Sequence, residues 1–307
     1  MTEQIGNVTV NYEYYEGQDF YSDGDVEDEI LDIVKTYPAN EFNRIIADRK
    51  SWPVLYHLSD IRGNILQSMP IDKDDEVLEI GAGCGAITGT LARKSKNVTC
   101  IDLSKRRSLI NAYRNRQYDN IEIMVGNFQV IEPNLPRKYD CITLIGVLEY
   151  GALYIKSKEP YLEFLSIIKK HLKPNGRVYI AIENKFGMKY WAGCQEDHIG
   201  GVFKGIEGYN DVEGVYTFGR KELEKIIKKA GYIEQKFYYP YPDYKFPMVI
   251  YSDDFLPETG TLNKNNLNFD RQKIYMFDES KVFDQVIDEG MFPFFSNSFL
   301  VEAKCGE

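Results

Sequence analysis

Histidine and tryptophan are scarce in this chain, with three and two residues among 307. Cysteine is present five times, at 84, 100, 141, 194 and 305, and forms no CxxC or CxxH pair. A disulfide framework and a thiolate zinc module are therefore excluded as organising principles, and the thiols read as reduced, which points to a cytoplasmic protein. No His/Asp/Glu grouping has metal-ligand spacing apart from the weak run Glu196, Asp197, His198, so no metal is expected. Positive charge is also short: 37 Lys and Arg face 47 Asp and Glu, for a net charge of −10. That balance argues against a nucleic-acid partner, whose phosphates need clustered cations. Nothing approaches the roughly 18 apolar residues of a membrane span, and the N-terminal MTEQIGNVTV lacks the basic-then-apolar pattern of a signal. A soluble, unprocessed chain without membrane insertion is expected.

What is present is a hydrophobic fraction of 43%, enough for one α/β domain with sizeable additions. The stretch VLEIGAGCGAITGTLARK, Val77 to Lys94, is the most informative. Val77 to Ile80 reads as a buried strand, and Gly81, Gly83 and Gly85, with Ala82 between the first two, form a turn free of Cβ atoms. A helix from about Ala86 then aims its N-terminus at a bound nucleotide-type cofactor. The loop alone also fits the dinucleotide pattern G-x-G-x-x-G/A, so its glycines do not choose between NAD and another adenosine cofactor.

Further along, Asn97 to Asp102 predicts a second strand, Leu103 to Arg116 a helix, Ile121 to Gly126 a third strand and Tyr139 to Gly146 a fourth. Tyr161 to Leu172 reads as a helix, KPNG as a turn, Arg177 to Asn184 as a fifth strand and Phe218 to Gly231 as a glycine-capped helix. Strands over Tyr232 to Tyr241 and Phe294 to Ala303 follow. This alternation predicts a parallel sheet with right-handed crossovers. The expected division is 1–75 as an N-terminal helical or lid region, 76–241 with 294–307 as the core, and 185–217 and 242–293 as acceptor-side insertions. The acidic run at 25–34 reads as an amphipathic helix.

Several residues are placed to hold the cofactor. Glu79, an acid where NAD-type turns commonly carry an apolar residue, tilts the choice toward S-adenosylmethionine, by accepting turn amides or reaching the ligand. Asp102, with Leu103 after it, ends the second strand where a carboxylate can accept both ribose hydroxyls. Asn127 offers an amide to an adenine edge. Phe128 is either a ring against the adenine face or a core aromatic. Ile145 lies where the fourth strand opens onto the crevice, and Glu149 is either a partner of the methionine ammonium or a solvated helix-start acid.

Together, E-x-G-x-G-x-G, the acid of CIDLS, GNF, IGVLEY and the LKPNG turn resemble a class I S-adenosylmethionine-dependent methyltransferase over roughly residues 70 to 235 and the last strand. The flanks FYSDGDVEDEIL, WPVLYHLSDIRGNIL, IENKFGMKYWAGCQEDHIGG and FYYPYPDYKFP resemble a bacterial subfamily found beside or fused to glycosyltransferases of surface-polysaccharide clusters. Related modules serve modified-peptide clusters. The resemblance implies a Rossmann-like, seven-stranded, mostly parallel sheet with a terminal antiparallel strand. It also implies S-adenosyl-L-methionine as cofactor, S-adenosyl-L-homocysteine as product and association with other pathway enzymes. Tyr56 to Arg62 resembles the family's lead-in helix. Arg62 there either clamps the methionine carboxylate or makes a salt bridge between domains. His57 and His171 read as packing and helix-end histidines.

On the acceptor side, a peptide carboxylate is already ionised at neutral pH whereas a sugar hydroxyl must lose a proton. His198, oriented by Glu196 and Asp197, is a candidate general base, an acceptor-positioning residue or a loop holder. Tyr190, Trp191, Tyr239 and Tyr241, with Tyr209, Tyr238 and Tyr244, are candidate cleft walls or packing residues, and Lys185, Lys189 and Arg220 candidate partners of an anionic acceptor. An O-methyltransferase of specialised metabolism is expected. An NAD-linked oxidoreductase and a silent cofactor-binding partner protein are the alternatives.

Overall fold

The computed structural model describes the chain apart from residues 20–21, 211–213, 265–270 and 307. Parts of both expected insertions, at 211–213 and 265–270, lie outside the described residues, as do Phe20 and Tyr21 of the N-terminal flank. Two compact units are present: Met1–Leu144 with His171–Gly176, and Ile145–Lys170 with Arg177–Glu307.

The first unit contains β1 (Thr2–Ile5), β2 (Val8–Tyr14), β3 (Glu76–Ile80), β4 (Asn97–Asp102), β5 (Ile121–Gly126) and β6 (Tyr139–Ile145) in the order β1-β2-β5-β4-β3-β6. β5, β4, β3 and β6 pair in parallel. Their near-continuous apolar runs suit strands covered on both faces, and Val77, Leu78, Cys100, Ile123, Ile142 and Leu144 are fully buried. Strand order reverses at β3, the arrangement that opens a ligand crevice beyond the carboxyl ends of the strands.

The N-terminal region, expected to be helical, opens instead with a hairpin. β1 and β2 pair antiparallel, and β2 then joins β5 in parallel. Gly6 turns the hairpin at φ 59°, where a Cβ would lie 2.5 Å from the Arg116 carbonyl oxygen. Val8 and Val10 are fully buried while Thr9 between them is half-buried, the alternation of a one-sided strand. Helices follow at Val26–Thr36, Phe42–Arg49 and Trp52–Leu58. Ile30, Ile33, Val34, Phe42, Ile45, Val54 and Leu58 form one core with Cys84 of the glycine turn and with Ile110. The segment thus packs directly behind the loop it precedes.

In the second unit, β7 (Leu172–Glu183) from Arg177 on, β8 (Glu234–Tyr241), β9 (Val249–Ser252) and β10 (Ser298–Lys304) run in the order β7-β10-β8-β9, all antiparallel. The terminal antiparallel hairpin, β8 with β10, stands where expected. Ten strands are present among the described residues where seven were expected, the additions being the N-terminal hairpin and β9 inside the 242–293 insertion. The expected KPNG turn falls within the first residues of β7, with Asn175 left-handed at φ 62°. The class is the expected Rossmann-like α/β fold. No helix among the described residues is long and apolar enough to cross a membrane.

One buried charge pair anchors the helices of the first unit. Glu27 is fully buried and accepts from Arg107 Nε at 2.7 Å, from Ser22 Oγ at 2.8 Å and from the Asp23 amide at 2.9 Å. Arg107 also pairs with Asp23 at 2.9 Å, so Glu27→Ala removes charge-assisted hydrogen bonds without leaving the guanidinium alone and is expected to cost about 2 kcal/mol. Urea denaturation should show a lower midpoint at an unchanged slope.

Candidate functional site

The glycine turn is latched at two points. The Gly81 and Ala82 amides donate to the Ile101 carbonyl at 2.8 and 3.2 Å, drawing the loop onto the end of β4. The Gly83 amide donates to Asp102 Oδ2 at 2.7 Å, and the Ser104 amide to Oδ1 at 2.9 Å. Asp102 therefore holds the loop, and a carboxylate with two accepted bonds keeps lone pairs for a diol. Gly81, Gly83 and Gly85 all have positive φ, at 70°, 53° and 76°. Two of them need to be glycine for different reasons. A Cβ on Gly85 would come within 2.2 Å of Asn111 Oδ1, whereas above Gly83 there is open space to 4 Å. Gly83 is the point where a ligand can touch backbone.

The helix after the turn begins at Thr88, later than expected, and runs only to Lys94. Glu79 is the reason it is fixed there: Thr88 Oγ1 donates to Glu79 Oε2 at 2.6 Å, Cys100 Sγ to the same oxygen at 3.4 Å, and Asn111 Nδ2 to Thr88 Oγ1 at 3.0 Å. The expectation that Glu79 accepts turn amides or reaches the ligand is thus corrected: it is a buried strut.

Arg62 is buried at 7% exposure, lies 3.7 Å over the Tyr56 ring and donates through Nη1 to the Tyr56 carbonyl at 3.3 Å. Its Nε has no hydrogen-bond partner among the described residues, and the interdomain salt bridge weighed for it is not found among them. A guanidinium held this way fits a carboxylate clamp. Asn127 caps the short helix Phe128–Ile131, with Oδ1 accepting from the Gln129 amide at 3.0 Å, and Phe128 is half-buried rather than core. Leu103, also half-buried, follows Asp102 in the turn before Lys105–Arg114. His57 is a packing histidine, as read, with Nε2 2.8 Å from Asp23. His171 meets Glu132 at 2.5 Å.

Ile145 and Glu149 belong to the second unit, and Glu149 is not a solvated acid. It is 1% exposed and meets two residues far away in sequence, Glu183 at the end of β7 and His198, their ligand atoms all lying within 4.8 Å of one another. His198 Nε2 lies 3.4 Å from Glu183 Oε2, and Tyr150 Oη 3.1 Å from His198 Nδ1. Glu183 Oε1 takes Lys245 Nζ at 2.6 Å and Tyr244 Oη at 3.3 Å. Burial, reinforced by the Glu183 charge, pushes the Glu149 carboxyl up to about 8. Burial opposes charging of His198, but Glu183, with Glu149 and Glu196, outweighs it and lifts the imidazole to about 9. Burial likewise opposes ionisation of Glu183, yet Lys245 and His198 hold it well below the usual range.

The orientation of His198 by Glu196 and Asp197 is corrected. Glu196 Oε2 accepts the His198 and Ile199 amides at 2.7 Å each, shaping the loop, and Asp197 pairs with Lys189 at 2.9 Å and with Lys245 at 2.5 Å. Glu183 and Tyr150 hold the ring, and sequence reasoning missed both; the one signal for Glu183 is an acid closing the apolar run RVYIAIE. Tyr190, Tyr239 and Tyr241 are buried and are packing residues rather than cleft walls. Tyr190 donates to Asp197, Tyr239 packs on Phe292 and Phe299, and Tyr241 donates to the Lys264 carbonyl at 3.0 Å. Trp191 keeps 37% exposure, with its indole bonded to the Phe186 carbonyl at 3.2 Å. Lys185, Lys189 and Arg220 are each engaged by a carboxylate, of Glu222, Asp243 and Asp253 respectively.

Residues 78–178 match the family model described as a methyltransferase domain. Among curated proteins, the chain is 26% identical over 188 residues to the ribosomal RNA small subunit methyltransferase A of Fusobacterium nucleatum subsp. nucleatum, covering 60% of this chain and 66% of that one. It is 30% identical over 119 residues to the protein of the same description in Malacoplasma penetrans, covering 36% of this chain and 44% of that one. The chain thus spans less than two thirds of either relative. A solved S-adenosylmethionine-dependent methyltransferase from Archaeoglobus fulgidus aligns at 15% identity with a TM-score of 0.49, over 83% of this chain and 100% of that one.

Glu79 generates a test. Burial lifts its carboxyl from the ordinary 4.5 to about 7, against the hydrogen bonds from Thr88 and Cys100. The folded chain therefore keeps a proton that the unfolded chain loses, and stability is full below pH 4.5 and falls as pH rises through about 7. Glu79→Gln stays neutral and should flatten that decline, with a gain on the order of 3 kcal/mol at pH 8 in urea melts. Residues 78–178, with a loop latched to Asp102 and a strand order that reverses at β3, thus carry the match to a methyltransferase domain, for which the cofactor is S-adenosylmethionine.

Proposed function

We propose that the chain transfers a methyl group from S-adenosylmethionine to an oxygen of an organic acceptor, with a peptide carboxylate favoured over a glycan hydroxyl. The observation that carries the cofactor reading is the Gly83–Asp102 latch beneath open space: Asp102 would take the ribose diol, Arg62 the methionine carboxylate, Asn127 and Phe128 the adenine. S-adenosylmethionine supplies the electrophilic methyl group, and alignment of an acceptor against it can contribute on the order of 7 to 11 kcal/mol. The chain's own part is then to position and to exclude water.

The carboxylate preference rests on the state of the candidate base. Both ring nitrogens of His198 are already engaged, Nε2 by Glu183 and Nδ1 by Tyr150, and the carboxylates around it favour its charged form, which argues against a base role. An acceptor that is already ionised needs no base. The two ribosomal relatives are described by an RNA substrate, but a net charge of −10 gives this chain no cationic surplus for a phosphate backbone. A cytoplasmic place beside other enzymes of a peptide- or polysaccharide-modifying pathway is part of the same proposal.

Two measurements test it. Calorimetry should show S-adenosylhomocysteine binding and no NAD binding, with Asp102→Ala weakening the former by about 10- to 100-fold, or 1.4 to 2.7 kcal/mol. NAD binding, or unchanged affinity in the variant, would overturn the cofactor reading. Incubation with methyl-labelled S-adenosylmethionine and panels of peptides and oligosaccharides should label a peptide, in a product that mild base strips. A base-stable label on a sugar would reverse the acceptor preference.

A further inference from the structure

The cluster in the second unit has a feature that methyl transfer to a carboxylate leaves unused. Glu149 is 1% exposed, and its Oε2 has no hydrogen-bond partner among the described residues. A buried polar atom without a partner costs about 1–3 kcal/mol, more when it is charged, and a bound ligand would offset that cost. The same carboxylate belongs to a group of residues that could hold a cation. Glu149 and Glu183 each present a carboxylate oxygen and His198 a ring nitrogen, all within 4.8 Å. The His198 Nε2 to Glu183 Oε2 distance of 3.4 Å is longer than a charge-assisted hydrogen bond, which runs at about 2.7–2.9 Å. It equals the ligand–ligand edge of about 3.4 Å that bonds of about 2.1 Å give in a tetrahedral zinc site.

The outer faces of two of these groups are already held, as metal ligands are. Tyr150 Oη sits 3.1 Å from His198 Nδ1, which leaves Nε2 to point inward. Lys245 and Tyr244 both bond Glu183 through Oε1, which leaves Oε2 to His198. We propose that Glu149, Glu183 and His198 bind one divalent transition-metal ion of the zinc type, with a coordination position open to an exogenous ligand. One imidazole with two carboxylates suits zinc better than magnesium or calcium, which take oxygen alone. The site is independent of the cofactor reading, because all three ligands lie in the second unit and binding is measured without cofactor or acceptor.

The test uses the full-length chain, stripped with chelator and dialysed against zinc, with metal content read by mass spectrometry and geometry by cobalt substitution. One zinc per chain is expected, with a visible cobalt spectrum of four-coordinate intensity and no thiolate-to-cobalt band. Zinc should also raise the unfolding temperature. Glu149→Gln, a neutral isostere, and His198→Ala should each lower affinity at least about tenfold, and Tyr150→Phe, which removes only the outer partner, by about tenfold or more. Glu149→Gln should lose the zinc-dependent rise in unfolding temperature. The proposal is overturned by substoichiometric zinc in the unaltered chain, by a thiolate band, or by undiminished zinc in Glu149→Gln and Tyr150→Phe. The last two variants keep the test decisive if His198→Ala fails to fold.

Discussion

The Asp102 carboxylate, bonded by the Gly83 amide on one oxygen and the Ser104 amide on the other, is the constraint on which the cradle depends. It joins the end of β4 to the glycine turn after β3, so the two loops that must face one ligand cannot move apart independently. Backbone at φ 53° would not stay near a carboxylate unaided, and Gly83 alone would offer only freedom. The same group that would recognise a ribose thus pre-orders the surface against which it binds, and less ordering is left for the ligand to supply.

Behind that latch the first unit spends buried polar groups as struts. Glu79 fixes Thr88, Thr88 takes Asn111, and Asn111 and Asn115 fill the volume that a side chain on Gly85 would need. The N-terminal helices close the back by packing on Cys84 in the turn itself. Each contact replaces water behind the loop with protein, which leaves the open space over Gly83 as the side facing a ligand.

The cradle was legible in the sequence because its parts are local. The glycines, Asp102 and the GNF turn each sit at a strand end that an apolar run marks, and strand–loop–helix alternation fixes which ends share an edge. The N-terminal hairpin was not read, since its strands are short and only alternate residues such as Val8 and Val10 are buried, a faint pattern beside the acidic helix that follows. The tyrosines were ambiguous for a different reason. Tyr190, Tyr239 and Tyr241 have the composition of a cleft wall, and only the partners of their hydroxyls, Asp197, Asp253 and the Lys264 carbonyl, show them to be packed. Least legible was the meeting of Glu149, Glu183 and His198, which follow a strand end, end another strand and lie in a loop. No spacing rule links them, because topology alone brings them together.

The two buried acids, Glu79 and Glu149, make the contrast from which the chemistry of the second unit follows. Both are lifted by burial, but Glu79 has donors on its oxygen and its surroundings are complete. Glu149 is pushed up by burial and by the Glu183 carboxylate beside it, and one of its oxygens has nothing among the described residues to bond. A structural acid reaches the first condition, because packing that leaves a polar atom unpaired is destabilising and a hydroxyl nearby removes the penalty. The second condition leaves room for a proton or a bound cation. A proton satisfies it by neutralising the charge, and a dication by binding both carboxylates and the imidazole at once. The two compete for the same oxygens, so whatever occupies the cluster sets the charge presented there.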